Sequence, residues 1–364
     1  MGSFQRFNSL SIEQPVLGPD ERRSAENLVR ESLPIGPAWG VFAKEIVDQI
    51  RSLSIQEIFW LRHHDKQRWS EYLYYRWVMH HAYKRRLELD FPLYLLIEPT
   101  SICNLRCPMC FQSDASFRRK PYWGHMTLSL FKSIVDQAAN GGTKAVTLAS
   151  RGEPTLVPDF AEMLAYTRGK FLDVKVNTNA TRLTDELMIA LLDAEVSEVV
   201  LSIDAGDPLT YETLRLGANF DDVLGRVRRF HEIRSSRAGD ATYVRVSGVR
   251  VSESQDFAKL ATVWGPFVDD VGWTPAVMRW DTYANPTAIA AKEPCHYLWE
   301  RMYVWFDGTT NPCDVDYKSH LSPGNVVNEP IKDIWLRMLR LRELHEAPGR
   351  GGLEPCIRCE VGSQ

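Results

Sequence analysis

Three cysteines lie close together in the segment Cys103–Cys110, which reads CNLRCPMC. Thiolates spaced in this way on one short loop can converge on three corners of an iron–sulfur cubane, which leaves the fourth iron without a protein ligand. An iron with an open position can bind a further molecule, as the open position of a catalytic metal does. Zinc is the alternative, but three thiolates in so short a loop match few zinc sites. This three-cysteine site (Cys103, Cys107 and Cys110) is therefore predicted to be a reactive iron–sulfur centre.

The remaining cysteines form a second group near the carboxyl-terminal end. This four-cysteine site consists of Cys295, Cys313, Cys356 and Cys359. Four thiolates that include a Cys-x2-Cys pair fit a tetrahedral zinc ion or a fully ligated [4Fe–4S] cluster, and the spacing alone does not choose between them. Seven cysteines are an odd number and too few for a disulfide framework in a chain of 364 residues. The grouping indicates two metal centres.

The middle of the chain alternates between short apolar runs and helical segments. The apolar runs begin at Tyr94, Ala145, Val174, Val199, Tyr243 and Val268. Helical patterns fill the intervals at 128–139, 160–168, 184–194, 220–234 and 256–264. Strands separated by helical segments predict right-handed βαβ units and a parallel sheet. Six units are too few for a closed eight-stranded barrel, so we predict an α/β fold with an open, partial (β/α)6 barrel.

Polar residues follow several of these predicted strands. The segments are 150–156 (SRGEPTL), 177–181 (NTNAT) and 202–205 (SIDA). The carboxyl ends of parallel strands meet at one edge of a sheet, where active sites of parallel α/β folds lie. We therefore expect these segments to face the cysteine loop. Loop capping is the alternative interpretation, because Ser, Asp and Asn all favour turns.

The Cys-x3-Cys-x2-Cys spacing resembles that of the radical S-adenosylmethionine (radical SAM) superfamily, whose partial barrel is similar to the one predicted here. The resemblance implies that the three-cysteine site holds a [4Fe–4S] cluster whose open iron binds SAM. An electron passed into the sulfonium then releases a 5′-deoxyadenosyl radical. Gly152 and Glu153 match the family's Gly-Gly-Glu-Pro motif, which receives the SAM amino group. Arg151 replaces the first glycine, and a contact with substrate or with a carboxylate is its alternative role.

The resemblance extends to the other predicted strand ends. Asn179 lies in a segment like the family's Thr-Asn-Gly, and Ser202 and Asp204 lie in one like its Ser-Ile-Asp. The family relation implies that Ser202 and Asp204 contact the SAM ribose and that Val249 contacts the adenine. Met109 stands where an aromatic residue often precedes the third cysteine, and its backbone is expected to meet the adenine.

The carboxyl-terminal segment, residues 286–364, resembles the SPASM/twitch extension of these enzymes. The features that carry this resemblance are a Gly-x4-Cys turn ending at Cys313, the Gly324–Asn325 loop and a helix containing Ile334–Trp335. The resemblance implies an auxiliary [4Fe–4S] cluster at the four-cysteine site. Four cysteines match the shorter twitch form, which holds one such cluster.

The first 91 residues match nothing in this family. Residues 1 to about 40 are rich in proline, glycine and polar residues and predict irregular or partly ordered structure. Residues 41–89 contain neither proline nor glycine and repeat apolar residues at helical spacing, which predicts two or three helices. The predicted domains are an N-terminal helical extension (1–91), the radical SAM barrel (92–285) and the SPASM/twitch domain (286–364).

Aminocyclitol dehydrogenases and sugar epimerases of the superfamily show the most similar cysteine pattern. The resemblance implies hydrogen abstraction from a carbinol carbon of a sugar, aminocyclitol or sugar nucleotide, with flavodoxin or ferredoxin as an external electron donor. No cysteine is left to donate a hydrogen atom, which favours dehydrogenation over redox-neutral epimerisation. Maturation of a ribosomally made peptide, or a metal-binding module without activity, are further alternatives. Candidate catalytic residues near the last two strands are Arg250, Arg279, Asp281 and Tyr283.

Composition excludes several other classes of protein. The formal charge is −4, from 43 basic and 47 acidic side chains, so no basic excess indicates nucleic acid. Mean hydropathy is −0.27, and the sequence has no apolar run long enough to span a bilayer. The first residues, MGSFQRFNSL, lack the apolar core of a secretory signal. A cytoplasmic protein without a membrane partner is the expectation.

Overall fold

The computed structural model describes residues 5–6, 16–31, 39–276, 283 and 294–359. The strands of this part are β1 Gln5–Arg6, β2 Tyr94–Ile97, β3 Ala145–Leu148, β4 Asp173–Thr178, β5 Glu198–Ser202, β6 Tyr243–Arg250, β7 Asp270–Pro275, β8 Arg301–Val304 and β9 Thr310–Asn311. Its helices are α1 Pro19–Glu31, α2 Trp39–Gln49, α3 Ile55–His63, α4 Trp69–Arg85, α5 Leu128–Gly141, α6 Phe160–Thr167, α7 Asp185–Asp193, α8 Pro208–Leu214, α9 Phe220–Ser235, α10 Phe257–Trp264, α11 Tyr297–Glu300 and α12 Ile331–Glu346.

The strands form one sheet in the order β1-β7-β6-β5-β4-β3-β2-β8-β9. Neighbours from β7 through to β2 are parallel, with short antiparallel strands at both edges. The two edge strands are not paired with each other within the described residues, so the sheet stays open. The predicted α/β fold with a partial (β/α)6 barrel is confirmed.

Strand β8 extends this sheet beyond the six predicted parallel strands. It pairs in parallel with β2, in a register that places Arg301 opposite Tyr94. The chain turns directly after β8, where the Gly308 amide donates to the Trp305 carbonyl oxygen at 2.9 Å. The four-cysteine segment is therefore built onto the edge of the barrel sheet.

The two faces of the sheet differ in chemistry. The outer face carries apolar residues such as Val176, Leu201 and Val246, which pack with helix residues into the main core. Side chains alternate along a strand, so the opposite, concave face carries the residues between them. These include Lys175, Asn177, Glu198, Ser202, Arg245 and Ser247. The concave face is polar, as a site for a polar ligand requires.

An ionic group closes the bottom of the concave face, where the strands begin. Glu198 pairs with Lys175 at 3.0 Å and with Arg245. Burial opposes ionisation of Glu198, but these two cations hold its pKa at about 2. Gln56 of α3 donates to the same carboxylate at 2.6 Å. The N-terminal helices thus cover the end of the barrel opposite the cysteine loop.

The prediction for the N-terminal extension is right in part. Helices α2, α3 and α4 confirm the helical interpretation of residues 41–89. Residues 1–40 are more ordered than an irregular segment, because α1 forms there and buries Ala25 and Val29. Pro19 is at the first helical position, where its missing N–H costs nothing, and the Gly18 amide donates to Glu21 at 2.8 Å. Among the described helices, none is both long and apolar enough to cross a bilayer.

Candidate active site

The three-cysteine site lies in the loop between β2 and α5. A turn brings the last two thiols to one side, because the Cys110 amide donates to the Cys107 carbonyl oxygen at 3.0 Å. The Leu105 amide lies 3.4 Å from the Cys103 sulfur, within hydrogen-bonding distance. Burial raises the pKa of the Cys103 thiol to about 12 and also raises that of Cys107. These thiols therefore need a bound metal to become thiolates near neutral pH.

Two polar side chains, one after a strand and one after a helix, approach these sulfurs. The Asn179 side-chain amide, after β4, lies 3.9 Å from the Cys103 sulfur. The Arg215 guanidinium, after α8, lies 4.0 Å from the Cys107 sulfur. Donors around the sulfurs stabilise the anionic thiolates of a cluster. The structure therefore brings the predicted β4 end to the three-cysteine site, as expected.

The Gly152–Glu153 segment lies directly against the cysteine loop. A β-carbon on Gly152 would collide with the carbonyl oxygens of Thr100 and Ile102, so only glycine fits this approach. Ser150, two residues before Gly152, has a φ of 135°, which is strained for a residue with a side chain. Strained backbone of this kind is concentrated at ligand sites.

Glu153 is a buried carboxylate held by three neighbours. Its Oε1 accepts from the hydroxyls of Thr155 at 2.7 Å and Thr178 at 2.6 Å, and its Oε2 accepts from the Asn179 amide at 2.7 Å. Burial raises the pKa of Glu153, partly against these donors. A carboxylate has about four acceptor positions, so Oε2 retains capacity for a cationic ligand. Glu153 ties the ends of β3 and β4 together while presenting that oxygen.

Asp204 anchors the next two strands. It is fully buried, its Oδ2 accepts from Arg215 Nε at 2.6 Å, and its Oδ1 accepts from the Val249 amide at 2.8 Å. Gln255 adds a second tie, because its side-chain amide donates to the Asp204 and Val249 carbonyl oxygens at 3.0 and 2.9 Å. The predicted SAM contacts Asp204 and Val249 therefore lie together, next to the Ser202 end of β5.

Arg151 is a structural residue in this chain. Its guanidinium donates to both carboxylate oxygens of Glu98 at 2.6 Å and to the Tyr317 carbonyl oxygen at 2.7 Å. The same group lies 4.0 Å from the centre of the Trp305 ring. The carboxylate contact is the alternative that the sequence left open for Arg151. Arg151 joins the glycine–glutamate segment to the loop that follows Cys313.

The other candidate residues are more dispersed. Arg250 stacks on Trp273 at 4.1 Å and follows Val249, so its side chain leaves the opposite face of β6. The Tyr283 hydroxyl donates to Asp316 at 2.7 Å, beside the four-cysteine site. Met109 lies half-buried in the cysteine loop. Arg279 and Asp281 lie outside the described residues.

The four-cysteine site is assembled from three separate segments. Cys295 precedes α11, Cys313 follows β9, and Cys356 and Cys359 come after α12. Burial raises the pKa of Cys295 to about 11, and burial together with the neighbouring thiols raises those of Cys313 and Cys356. Cys295, Cys313 and Cys356 line one small cavity, which brings these thiols close together.

The surroundings of the four-cysteine site are mainly apolar. Leu298, Leu321 and Leu341 line the small cavity that its thiols share. His345 of α12 lines the same cavity and is 3% exposed. Its Nδ1 accepts from the Cys295 amide at 3.3 Å. The imidazole therefore fixes the backbone of one predicted ligand.

Sequence reasoning missed Arg215, Gln255, His345 and Arg350. Arg215 and Gln255 both contact Asp204, but Arg215 follows α8 and Gln255 follows β6, so the sequence spacing does not link either residue to Asp204. Arg350 has a local signal, because it stands within the unusual run Gly-Arg-Gly-Gly. Nothing in the sequence pattern singles out His345.

Two family models match this chain. Residues 97–261 match the radical SAM superfamily, and residues 295–360 match the SPASM iron–sulfur cluster-binding domain. The chain therefore belongs to the radical SAM superfamily and carries a carboxyl-terminal SPASM domain. The predicted family is confirmed, and the chain is a radical SAM enzyme.

Similar proteins include maturases. Mycofactocin maturase MftC of Mycobacterium tuberculosis (strain ATCC 25618 / H37Rv) is 28% identical over 305 residues, 74% of this chain and 76% of that protein. The tungsten-containing aldehyde ferredoxin oxidoreductase cofactor-modifying protein of Pyrococcus furiosus is 36% identical over 175 residues, 46% of this chain and 47% of that protein.

Two solved structures show the same fold at low identity. BtrN in complex with AdoMet and 2-DOIA has a TM-score of 0.51 and 17% identity, and the match covers 76% of this chain and 96% of BtrN. Streptococcus suis SuiB bound to precursor peptide SuiA has a TM-score of 0.51 and 17% identity, with 88% of this chain and 82% of SuiB covered. These similarities show the fold and do not identify a substrate.

The two domains imply SAM, a SAM-binding [4Fe–4S] cluster and auxiliary iron–sulfur binding. The residues present fit these groups. Three thiols on one loop leave one corner of a cubane without a protein ligand, and four thiols ligate a cubane fully, so the donor sets fit the clusters that these domains imply.

Proposed function

We propose that this chain is a radical SAM oxidoreductase that dehydrogenates a carbinol carbon of a sugar, aminocyclitol or sugar nucleotide. The observation that carries the proposal is a buried polar atom on the concave face. Asn177 Oδ1 is buried and has no hydrogen-bond partner within the described residues. A buried, unpaired amide oxygen costs free energy unless a ligand donates to it. A substrate hydroxyl is a suitable donor.

Neighbouring residues extend this polar surface. Ser202 and Ser247 are opposite one another on β5 and β6, on the same concave face. Ser150 Oγ, at the end of β3, is also buried without a partner among the described residues. Hydroxyl and amide groups at this spacing suit a ligand with several hydroxyl groups. They offer little to an apolar side chain of a peptide.

Oxidation of an alcohol to a ketone has to dispose of a hydrogen atom, a proton and an electron. When bound, SAM supplies the radical that takes the hydrogen atom, and the auxiliary cluster supplies a place for the electron. The chain holds these groups through the two cysteine sites and positions SAM with Gly152, Glu153 and Asp204. The hydroxyl proton passes to a basic group of the chain.

The cysteine count favours oxidation over epimerisation. A redox-neutral epimerase has to return a hydrogen atom to the substrate, and a thiol is a good donor. The sequence contains seven cysteines, and the two cysteine sites use all of them. Turnover in deuterated water distinguishes the outcomes, because an epimerised product carries deuterium at the inverted carbon and a ketone does not.

The test presents the reconstituted protein with SAM, dithionite and a panel of sugars, sugar nucleotides and aminocyclitols. We expect one class to increase 5′-deoxyadenosine formation and to yield a ketone. Asn177→Ala should lower this substrate-dependent turnover by about tenfold and leave substrate-free SAM cleavage unchanged. Asn140→Ala, at an exposed position of α5, is the matched control. A panel without any ketone, or equal turnover in both variants, would contradict the proposal.

A second candidate is maturation of a peptide, and the relation to the MftC maturases favours it. In the described part of the chain, the N-terminal helices pack at the bottom of the barrel. There Trp60 donates to the Leu172 carbonyl oxygen at 3.1 Å, before β4 begins. A peptide would have to be recruited by another surface. Stimulation of 5′-deoxyadenosine formation by a precursor peptide and by no polyol would establish this alternative.

A further inference from the structure

A buried arginine, Arg350, lies beside the four-cysteine site. Arg350 is only 2% exposed to solvent. Its Nη1 donates to the carbonyl oxygens of Cys356 at 3.3 Å and Cys359 at 3.4 Å. Both acceptors are residues of the site itself. The guanidinium is therefore fixed against the Cys-x2-Cys turn.

The backbone around Arg350 is arranged for this placement. Gly349, Arg350 and Gly351 all have left-handed backbone angles, with φ values of 62°, 54° and 63°. A β-carbon on Gly351 would lie 2.5 Å from the Leu344 carbonyl oxygen, so the turn closes tightly on α12. Glycine adopts such angles without strain, whereas a residue with a side chain is uncommon there. The chain tolerates strain at Arg350, and the guanidinium reaches the cysteines as a result.

The charge of Arg350 lies next to the predicted cluster, because its guanidinium contacts the carbonyl oxygens of two of the ligand residues. A [4Fe–4S] cluster with four thiolate ligands is anionic and becomes more so on reduction. A fixed cation in a buried environment therefore stabilises the reduced form more than the oxidised form.

We propose that Arg350 is a positioning residue that raises the reduction potential of the cluster at the four-cysteine site. A higher potential makes this cluster a better acceptor for the electron that leaves the substrate. The inference rests on the presence of the cluster and not on the identity of the substrate. It can therefore be tested without substrate, and its failure is distinguishable from failure of the proposed function.

The test is a redox titration of the reconstituted protein, followed by electron paramagnetic resonance. We expect Arg350→Gln to lower the midpoint of the auxiliary cluster by at least 59 mV, which is a tenfold change for a one-electron couple. The midpoint of the SAM-binding cluster should not move. Arg340→Gln is the matched control, because that side chain is 72% exposed and pairs with Glu343 at the surface. It should leave both midpoints unchanged.

Arg350→Lys separates charge from hydrogen bonding. Lysine keeps the positive charge but loses the planar fork of donors, so we expect a midpoint close to that of the wild type. The Arg350→Lys variant also provides a test of the midpoint potential if Arg350→Gln does not retain its iron. An unchanged midpoint in Arg350→Gln would overturn the proposal. An iron-replete Arg350→Lys protein would also overturn the proposal if the midpoint potential of its auxiliary cluster were lower than that of the wild type by 59 mV or more.

Discussion

The two cysteine sites are built in different ways. One short loop supplies all three cysteines of the three-cysteine site, and side chains from separate strand ends then approach it. Three distant segments supply the four-cysteine site, and β8, α11 and α12 hold them together. The first arrangement can form locally, whereas the second requires the tertiary fold.

The side chains that surround the two cysteine sites also differ in polarity. Polar groups of Asn179 and Arg215 lie within 4.0 Å of sulfurs in the three-cysteine site. Leucines line the cavity of the four-cysteine site. A polar, incompletely ligated cluster suits binding of a further molecule, while an enclosed and fully ligated one suits electron transfer. This difference supports the proposal that the substrate reacts near the three-cysteine site and that the four-cysteine site accepts an electron.

The largest expected effect comes from removing one ligand of each site. Cys356→Ala should lower the free energy of unfolding of the reconstituted protein by about 3 kcal/mol or more, because its cluster closes long loops between distant segments. Cys107→Ala should cost far less stability. Each variant should retain about four of about eight irons per chain. Iron analysis and denaturant titration check this; equal stability losses would remove the distinction between the sites.

The next effect concerns the connection between the sites. Arg151→Ala leaves Glu98 buried and unpaired, so we expect a loss of about 3–5 kcal/mol in the free energy of unfolding. Arg168→Ala is the control, because its pair with Glu195 is 59% and 62% exposed and should contribute at most about 1 kcal/mol. Denaturant titration of both variants measures the difference. A loss in Arg151→Ala no larger than the control would show that the buried pair does not join the sites.

A smaller effect should follow from changing the SAM-binding residues. Glu153→Ala and Asp204→Ala should each weaken SAM binding by about tenfold, because each carboxylate orders two strand ends beside the three-cysteine site. Iron content should remain at the wild-type level, since neither residue is a ligand. Calorimetric titration with SAM under anaerobic conditions gives the affinity. Unchanged affinity in both variants would show that SAM binds elsewhere.

The sequence was most informative where chemistry depends on local spacing. The cysteine loop and the strand-end segments follow from spacing and from the rule that parallel strands end at the active edge. Ion pairs between residues that are distant in sequence are not predictable from spacing. Arg151 pairs with Glu98 only because β2 and β3 are neighbours in the sheet. Strand β8 also joins that sheet, although it lies beyond the alternation of strands and helices that predicts the barrel.

Side-chain direction explains other differences. Val249 and Arg250 are consecutive in β6, so they point to opposite faces, and only Val249 lies on the face with Ser202. The alternation of side chains along a strand therefore places Val249, and not Arg250, on the face that carries the predicted SAM contacts. Helix α1 is not evident from the sequence. Proline also interrupts helices, so Pro19 indicates a helix start only together with the contact between Gly18 and Glu21.

The division of labour between the two cysteine sites is tested most directly by 5′-deoxyadenosine formation with dithionite and SAM. Cys107→Ala should form none, because it lacks the SAM-binding cluster. Cys313→Ala should form it at close to the wild-type rate while yielding little oxidised product from a substrate. Loss of 5′-deoxyadenosine in a Cys313→Ala protein that retains its SAM-binding cluster would contradict the account.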